Sequence, residues 1–161
     1  MKRFPLAQAG VALIEFAIAI PFLMILMLGI VETGRLAYYN ILVGNAAHAG
    51  AFYGSQNIRA ARSAAGMTAA ALHDGQNVPQ IAVSPDPTYY CQCYNGTTGA
   101  ATPLDCGASV TSCASGTHRI VYVSVTVSGS VNTLFDYRPL GLPNPWTITR
   151  TAILRVSNTA E

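Results

Sequence analysis

Charged side chains are scarce in this chain. Aspartate, glutamate, lysine and arginine make up 10% of its 161 residues, and the formal net charge is +2. The nine basic residues are spread along the sequence, and Lys2 is the one lysine among them. Proteins that bind nucleic acids cluster basic residues on one face, where they neutralise phosphates. This distribution therefore excludes nucleic acid as an expected partner.

The residue patterns of catalytic and metal sites are also missing. The histidines His48, His73 and His118 are far apart in the sequence and have no metal-ligand spacing. The sequence contains no Gly-x-Ser-x-Gly nucleophile elbow either. We therefore predict that the chain is not an enzyme, and we expect it to hold no metal and no cofactor.

A long apolar run, by contrast, is present near the N-terminus. Residues 10–31 read GVALIEFAIAIPFLMILMLGIV and contain a single charged side chain. As a helix, residues 11–31 would measure about 31 Å, which matches a hydrocarbon core of about 30 Å. Lys2 and Arg3 precede this run and favour an N-terminus on the cytoplasmic side. We predict one transmembrane helix over 11–31, with the C-terminal part outside the cytoplasm.

Two residues within the predicted span are unusual. A carboxylate such as Glu15 costs about 2.5–3.5 kcal/mol at the bilayer centre and less near the interface, so a functional role is the first hypothesis. The alternative is that Glu15 reaches water among the lipid headgroups. Pro21 removes a backbone donor and clashes with the carbonyl of Ala17, which predicts a helix kink. The alternative for Pro21 is an ordinary proline tolerated in a membrane helix.

The helical pattern continues beyond the span. Apolar residues keep an i, i+3, i+4 spacing to about Tyr53, so we predict that the first helix extends that far. A second helix is predicted from Asn57 to His73, and together these segments form an extramembrane helical region over 32–75. Small residues repeat every four positions in this region, at Ala46, Gly50 and Gly54 and at Ala47, Ala51 and Ser55. Such spacing lets another backbone pack closely against the helix. That backbone can belong to the sheet of the same chain or to a neighbouring subunit.

The C-terminal half changes to the period of β-strands. Residues 119–127 and 146–156 alternate apolar and polar side chains, and shorter strands are predicted at 80–83 and near Tyr89. We predict an α+β fold in which residues 76–161 form a small antiparallel sheet of three or four strands packed on the first helix. The apolar pairs of the connection over 129–145, Leu134–Phe135 and Leu140–Leu142, are expected to tuck under the sheet.

Four cysteines lie in one segment of this half, within a loop over 89–113. An even count in an exported domain indicates disulfides. Only one residue separates Cys91 from Cys93, so we expect each of them to pair with Cys106 or Cys113, and both such pairings stay open. A zinc site is the alternative, but the pair lacks the two-residue gap of zinc knuckles.

The N-terminal segment resembles a known family. A basic leader, a glycine, four apolar residues and a glutamate resemble the processing site of type IV prepilin peptidases. The longer segment over 10–52 resembles the TadE-like domain of minor pilins from tight-adherence (Tad/Flp) pili. The matching features are Gly10, the Glu15–Phe16 pair, Pro21, Gly29-Ile-x-Glu32, Gly34–Arg35 and Asn45-Ala-Ala.

The resemblance implies a minor pilin or pseudopilin in the bacterial inner membrane, with a periplasmic or extracellular C-terminal domain. It implies cleavage of the leader 1–10 after Gly10 by a prepilin peptidase, which leaves Val11 as the new N-terminus. It further implies that Glu15, beside Phe16, attracts the free amine of an adjacent subunit. The implied partners are the peptidase, other major and minor pilins, and the pilus assembly platform of the inner membrane.

A second hypothesis belongs to a different class of protein. The chain would then keep its leader and act as a membrane-tethered ectodomain. Its cysteine loop and Tyr137 would contact a surface or another envelope protein. The N-terminal residue of the protein in cells distinguishes these two hypotheses.

Overall fold

The computed structural model describes residues 6–106, 113–136, 138–141 and 143–157. Lys2, Arg3, Tyr137 and Leu142, which entered the expectations above, lie outside these residues. The chain divides into two compact units, Met1–Tyr38 and Tyr39–Glu161.

The first unit is built on the N-terminal part of one long helix, α1, which spans Leu6–Ser55. The helix passes through Pro21 and ends close to the predicted position at Tyr53. From Gly10 to Val31 every residue is exposed, and Glu15 is the one charged residue in this apolar segment. The remainder of α1, from Tyr39 onwards, belongs to the second unit and has a buried face.

Two short helices follow in the second unit, α2 over Ile58–Ala61 and α3 over Ala64–Asp74. Asn57 caps α2 by accepting a hydrogen bond from the backbone N–H of Ala60 at 2.9 Å. Ser63 caps α3 in the same way, accepting from the N–H of Gly66 at 3.2 Å. The single helix predicted over 57–73 is therefore divided, because the serine side chain satisfies the donors of a new helix start.

The predicted antiparallel sheet is confirmed, and it has five strands within the described residues. They are β1 over Ala82–Val83, β2 over Thr88–Asn95, β3 over Ala101–Leu104, β4 over Thr117–Val131 and β5 over Trp146–Arg155. The long strand β4 is central: β5 pairs along one edge, and β2 and β1 pair in turn along the other. β3 extends the sheet beyond β2. Its four residues, with a proline among them, carry too short a pattern to be recognised in the sequence.

The core of the second unit lies between α1 and this sheet. Val123, Val125 and Val127 of β4 are fully buried, as the alternation in the sequence predicts. Facing them are the small residues of α1, with Met67 and Ala71 of α3. The small-residue pattern thus serves packing within the chain. A Cβ on Gly50 would lie 2.8 Å from the carbonyl oxygen of Met67, so the backbones approach as closely as glycine allows.

Contacts along this interface give β4 a direction antiparallel to α1. Positions 54 and 50 of α1 lie against Val123 and Val125, whereas Val43 lies against Gly129. β5 adds a polar contact at the same end as Val43, where Nε of Arg150 donates to Oδ1 of Asn40 at 2.6 Å. The C-terminal end of β4 therefore lies where α1 enters the domain.

The connection between β4 and β5 differs from the expectation. Leu134 and Phe135 were predicted to tuck under the sheet, and both are exposed. The core beside β4 is already filled by α1 and α3, which leaves no place for them beneath the sheet. A short 3₁₀ helix, Arg138–Leu140, and local hydrogen bonds give this loop its own structure.

The close packing of α1 predicts opposite effects at two helical glycines. Gly50→Ala places a methyl group against the backbone of α3, so the free energy of unfolding should fall by about 1–3 kcal/mol. A Cβ at Gly44 meets nothing within 4 Å. Gly44→Ala should therefore leave stability unchanged or raise it by up to about 1 kcal/mol through helix propensity. Denaturant unfolding of the full chain in detergent measures both, and equal effects would contradict this packing.

Candidate functional site

The predicted processing site lies on the exposed part of α1. Gly10 and Val11 are both helical and exposed. A Cβ built on Gly10 would meet no atom within 4 Å, and Gly10 has no left-handed backbone conformation. A glycine inside a helix costs about 0.5–1 kcal/mol relative to alanine. Neither packing nor backbone geometry in the described residues accounts for glycine at this position.

Glu15 and Phe16 follow on the same exposed segment. Glu15 lies four residues after Val11 and therefore on the same face of the helix, one turn further along. The ion pairs formed among the described residues do not include Glu15. Its carboxylate is thus presented to the surroundings of the helix, within a segment whose other side chains from Gly10 to Val31 carry no charge.

The apolar side chains around Glu15 are presented in the same way. The large ones between Val11 and Val31 expose between 38% and 70% of their surface. A soluble domain rarely shows an apolar surface of this extent, which marks a segment that contacts lipid or other proteins. By length and composition, α1 is the one described helix that could cross a membrane. This part of the chain fits a single-pass membrane protein.

An ion pair follows directly after the apolar segment. Nη1 of Arg35 lies 3.3 Å from Oε2 of Glu32, and Glu32 is only 7% exposed. A buried carboxylate is costly unless it is paired, so Arg35 stabilises its charge. Glu32 and Arg35 are named above only as features of the family resemblance, and an ion pair between them is not among the predictions. The i, i+3 spacing of opposite charges after an apolar run is the signal that could have found it.

The structure selects one of the two disulfide pairings that the sequence left open. Cys91 is bonded to Cys106, and Cys93 to Cys113. Cys91 and Cys93 both point to the inner face of β2, because one residue separates them and side chains alternate along a strand. All four sulfurs are used in these bonds and are not available as zinc ligands. The guanidinium of Arg119 on β4 lies beside this pair, with Nη2 3.3 Å from the Sγ of Cys91.

The three histidines lie on different elements, namely α1, α3 and β4. His118 packs edge-on against Tyr94 with ring centroids 5.5 Å apart, so it is part of the outer face of the sheet. Within the described ranges, no three histidine, cysteine, aspartate or glutamate residues are grouped in a way that could hold a metal ion.

These features define a class of protein: a single N-terminal helix able to span a membrane, followed by a disulfide-bonded α+β domain. Comparison with protein families gives a match to the family described as TadE-like protein over residues 10–51, about a quarter of the chain. The resemblance to TadE-like proteins is thereby confirmed for this segment. Comparisons with curated proteins and with solved structures find no match.

The match indicates involvement in a Tad pilus system. TadE-like pilins are structural components of pili and are not a known family of enzymes. Partners of this chain are accordingly pilus-associated in general. The matched segment contains Gly10, Val11, Glu15, Phe16 and Pro21, which are the residues that sequence reading selected on α1.

The disulfide pairing predicts the behaviour of paired cysteine substitutions. Cys91→Ala with Cys106→Ala removes one bond, so the protein should retain no free thiol and lose about 2–4 kcal/mol of stability. The control, Cys91→Ala with Cys113→Ala, removes one partner from each bond and should destabilise the fold further. Thiol labelling without reduction and denaturant unfolding measure both. Greater stability of the control pair would show that the pairing is different.

Proposed function

We propose that this chain is a minor pilin or pseudopilin that takes part in assembling or priming Tad/Flp-type pili used in surface adhesion. The observation that carries the proposal is the position of the family match on α1. The segment that matches TadE-like proteins, residues 10–51, contains the exposed apolar segment from Gly10 to Val31. The match therefore covers the membrane helix with most of its continuation, and not the disulfide-bonded sheet.

In this proposal a prepilin peptidase removes residues 1–10 and leaves Val11 as the N-terminus. Two observations support the site. Lys2 and Arg3 favour a leader on the cytoplasmic side of the inner membrane. Glycine at position 10 has no packing role among the described residues, so it is free to serve recognition at the bond that follows it.

Glu15 then acts in assembly. Cleavage creates a free α-amine at Val11, and a carboxylate in an apolar bundle is stabilised by an opposite charge nearby. The amine of an adjacent subunit provides that charge without any further basic residue. This role is supported by the exposure of Glu15 and by the uncharged surface around it.

Pro21 is proposed to weaken α1 about 1.7 turns beyond Glu15. Proline cannot donate the backbone hydrogen bond of a regular helix, so the freed carbonyl must be satisfied by neighbours or by a local adjustment. A helix that adjusts at this point can move from lipid into a bundle of other pilin helices. The assembly platform of the inner membrane and the major and minor pilins are the proposed partners of that step.

Cleavage predicts the mass and the first residue of the mature protein. In cells that contain the peptidase, the purified chain should begin at Val11. Gly10→Leu should keep Met1 or Lys2 as its first residue, because the small residue before the bond is lost. Gly29→Leu is the matched control, since Gly29 is also helical with no neighbour for a Cβ within 4 Å, and it should be cleaved normally. Intact-mass and N-terminal analysis measure this.

Retention of the leader in the unaltered, functional protein would contradict the processing step. The chain would then be a membrane-tethered ectodomain that contacts a surface or an envelope partner.

The charge of Glu15 predicts a defect in assembly without a defect in insertion. Glu15→Gln removes the charge at nearly constant size and lowers the cost of membrane insertion. It should stay membrane-bound, yet its incorporation into sheared pili should fall at least about tenfold, as expected for the loss of an ion pair in an apolar bundle.

Glu15→Asp is the matched control, because it keeps the carboxylate and should retain part of the incorporation. Immunoblots of sheared pili and membrane fractions measure both variants. Normal incorporation of Glu15→Gln would remove the assembly role of this residue.

A further inference from the structure

Two large apolar side chains are exposed together in the loop between β4 and β5. Leu134 is 52% exposed and Phe135 is 46% exposed, and we name this pair the loop tip. The loop is held by its own polar contacts, since the N–H of Thr133 donates to Oδ1 of Asn144 at 3.2 Å. A hydrogen bond therefore joins the two sides of the loop next to the loop tip.

The position of the loop follows from the register of β4 against α1. Val43 of α1 lies against Gly129, and Asn40 accepts a hydrogen bond from Arg150. The loop leaves β4 after Val131, two residues beyond Gly129. It therefore lies at the end of the domain where α1 enters, and only residues 32–38 separate that end from the apolar segment in the sequence.

The charges of the loop are neutralised locally. Nη2 of Arg138 lies 2.6 Å from Oδ2 of Asp136, and its Nε donates to Oδ1 of the same carboxylate at 2.8 Å. These hydrogen bonds lower the pKa of Asp136 to about 2, so the pair is ionised on both sides and carries no net charge at neutral pH. The loop thus brings no net charge to the apolar surface it displays.

We propose that the loop tip lies in the boundary between headgroups and acyl chains of the membrane that α1 spans. Aromatic and aliphatic side chains on a membrane-proximal surface prefer this boundary. The two side chains offer on the order of 200 Å² of surface, whereas a stable protein interface buries about 800 Å² on each partner. These two side chains by themselves are therefore too small for a subunit interface, and we assign their contact to lipid.

This inference rests on the membrane-spanning part of the proposed function and is independent of processing and of pilus assembly. Lipid contact at the loop tip would add a second point of attachment beside the helix. The domain would then have a defined orientation on the membrane before the subunit leaves it.

A tryptophan at the loop tip tests the contact directly. The chain contains one tryptophan, so Trp146→Phe gives a background without tryptophan fluorescence. In this background Phe135→Trp places the probe at the loop tip. Ile153→Trp is the matched control, because Ile153 is 54% exposed and pairs with Ser124, near the other end of the interface with α1. Both full-length variants are reconstituted in phosphatidylcholine vesicles, with and without bromine near the top of the acyl chains.

Bromine quenches tryptophan only at short range. The probe at position 135 should lose about half or more of its emission in brominated vesicles and be blue-shifted, as expected for a side chain in the interface. The probe at position 153 should keep its emission. Absence of thiol labelling before reduction verifies that both variants retain their disulfides.

Three results would overturn the proposal, and they differ in what else they exclude. If the chain does not float with the vesicles, both the membrane span and the lipid contact are ruled out. If the chain floats but the probe at position 135 is unquenched and emits as in water, only the lipid contact is ruled out. An unquenched but blue-shifted probe means that protein, such as a second copy of the chain, covers the loop tip in place of lipid.

Discussion

The close approach of α1 to the central strand β4 is the contact on which the domain depends. Valine side chains of β4 fill the space above a helix face of alanine and glycine, and burying one such valine stabilises a fold by about 1.5–3 kcal/mol. Because Gly50 permits contact with the backbone of α3 as well, one helix face holds both the sheet and the short helices. The direction of β4 along α1 then places each connecting loop: the disulfide-bonded loops lie at the start of β4 and the apolar loop tip at its end.

The same helix meets two different environments along its length. From Gly10 to Val31 its side chains are exposed and, apart from Glu15, uncharged, whereas from Val43 onwards the buried ones are small and face the sheet. A helix made in this way carries a domain whose core is complete without the apolar segment. The two disulfides further restrict the unfolded chain, which stabilises a small domain that offers limited apolar area for burial. Such a domain can stay folded when the surroundings of its helix change, which the proposed function requires.

Several of the charged side chains in the described part of the chain have a partner close by. Glu32 is paired with Arg35, Asp136 with Arg138, and Arg150 donates to Asn40. Each of these contacts stabilises a charge within the second unit or close to the end of the apolar segment. Glu15 differs because it lies within that segment, and the ion pairs among the described residues do not involve it. These ion pairs do not offset the free-energy cost of a carboxylate among apolar side chains. The proposed function therefore assigns Glu15 to contact with another molecule.

The sequence by itself determined the features that depend on local pattern. The apolar run, its helical extension to about Tyr53, the alternation of β4 and β5 and the grouping of the cysteines are all periodic or compositional signals. The family resemblance over residues 10–52 is also read from the sequence alone. Only the tertiary structure decided which segments meet. It placed the sheet of the same chain on the small residues of α1, chose Cys106 for Cys91 and Cys113 for Cys93, and added the short strand β3. It also left Leu134 and Phe135 exposed, although their apolar character predicts burial, because α1 and α3 fill the core beside β4. Which residues distant in sequence pack together depends on the space in the core and on the competition between segments for that space. A local sequence pattern does not contain this information.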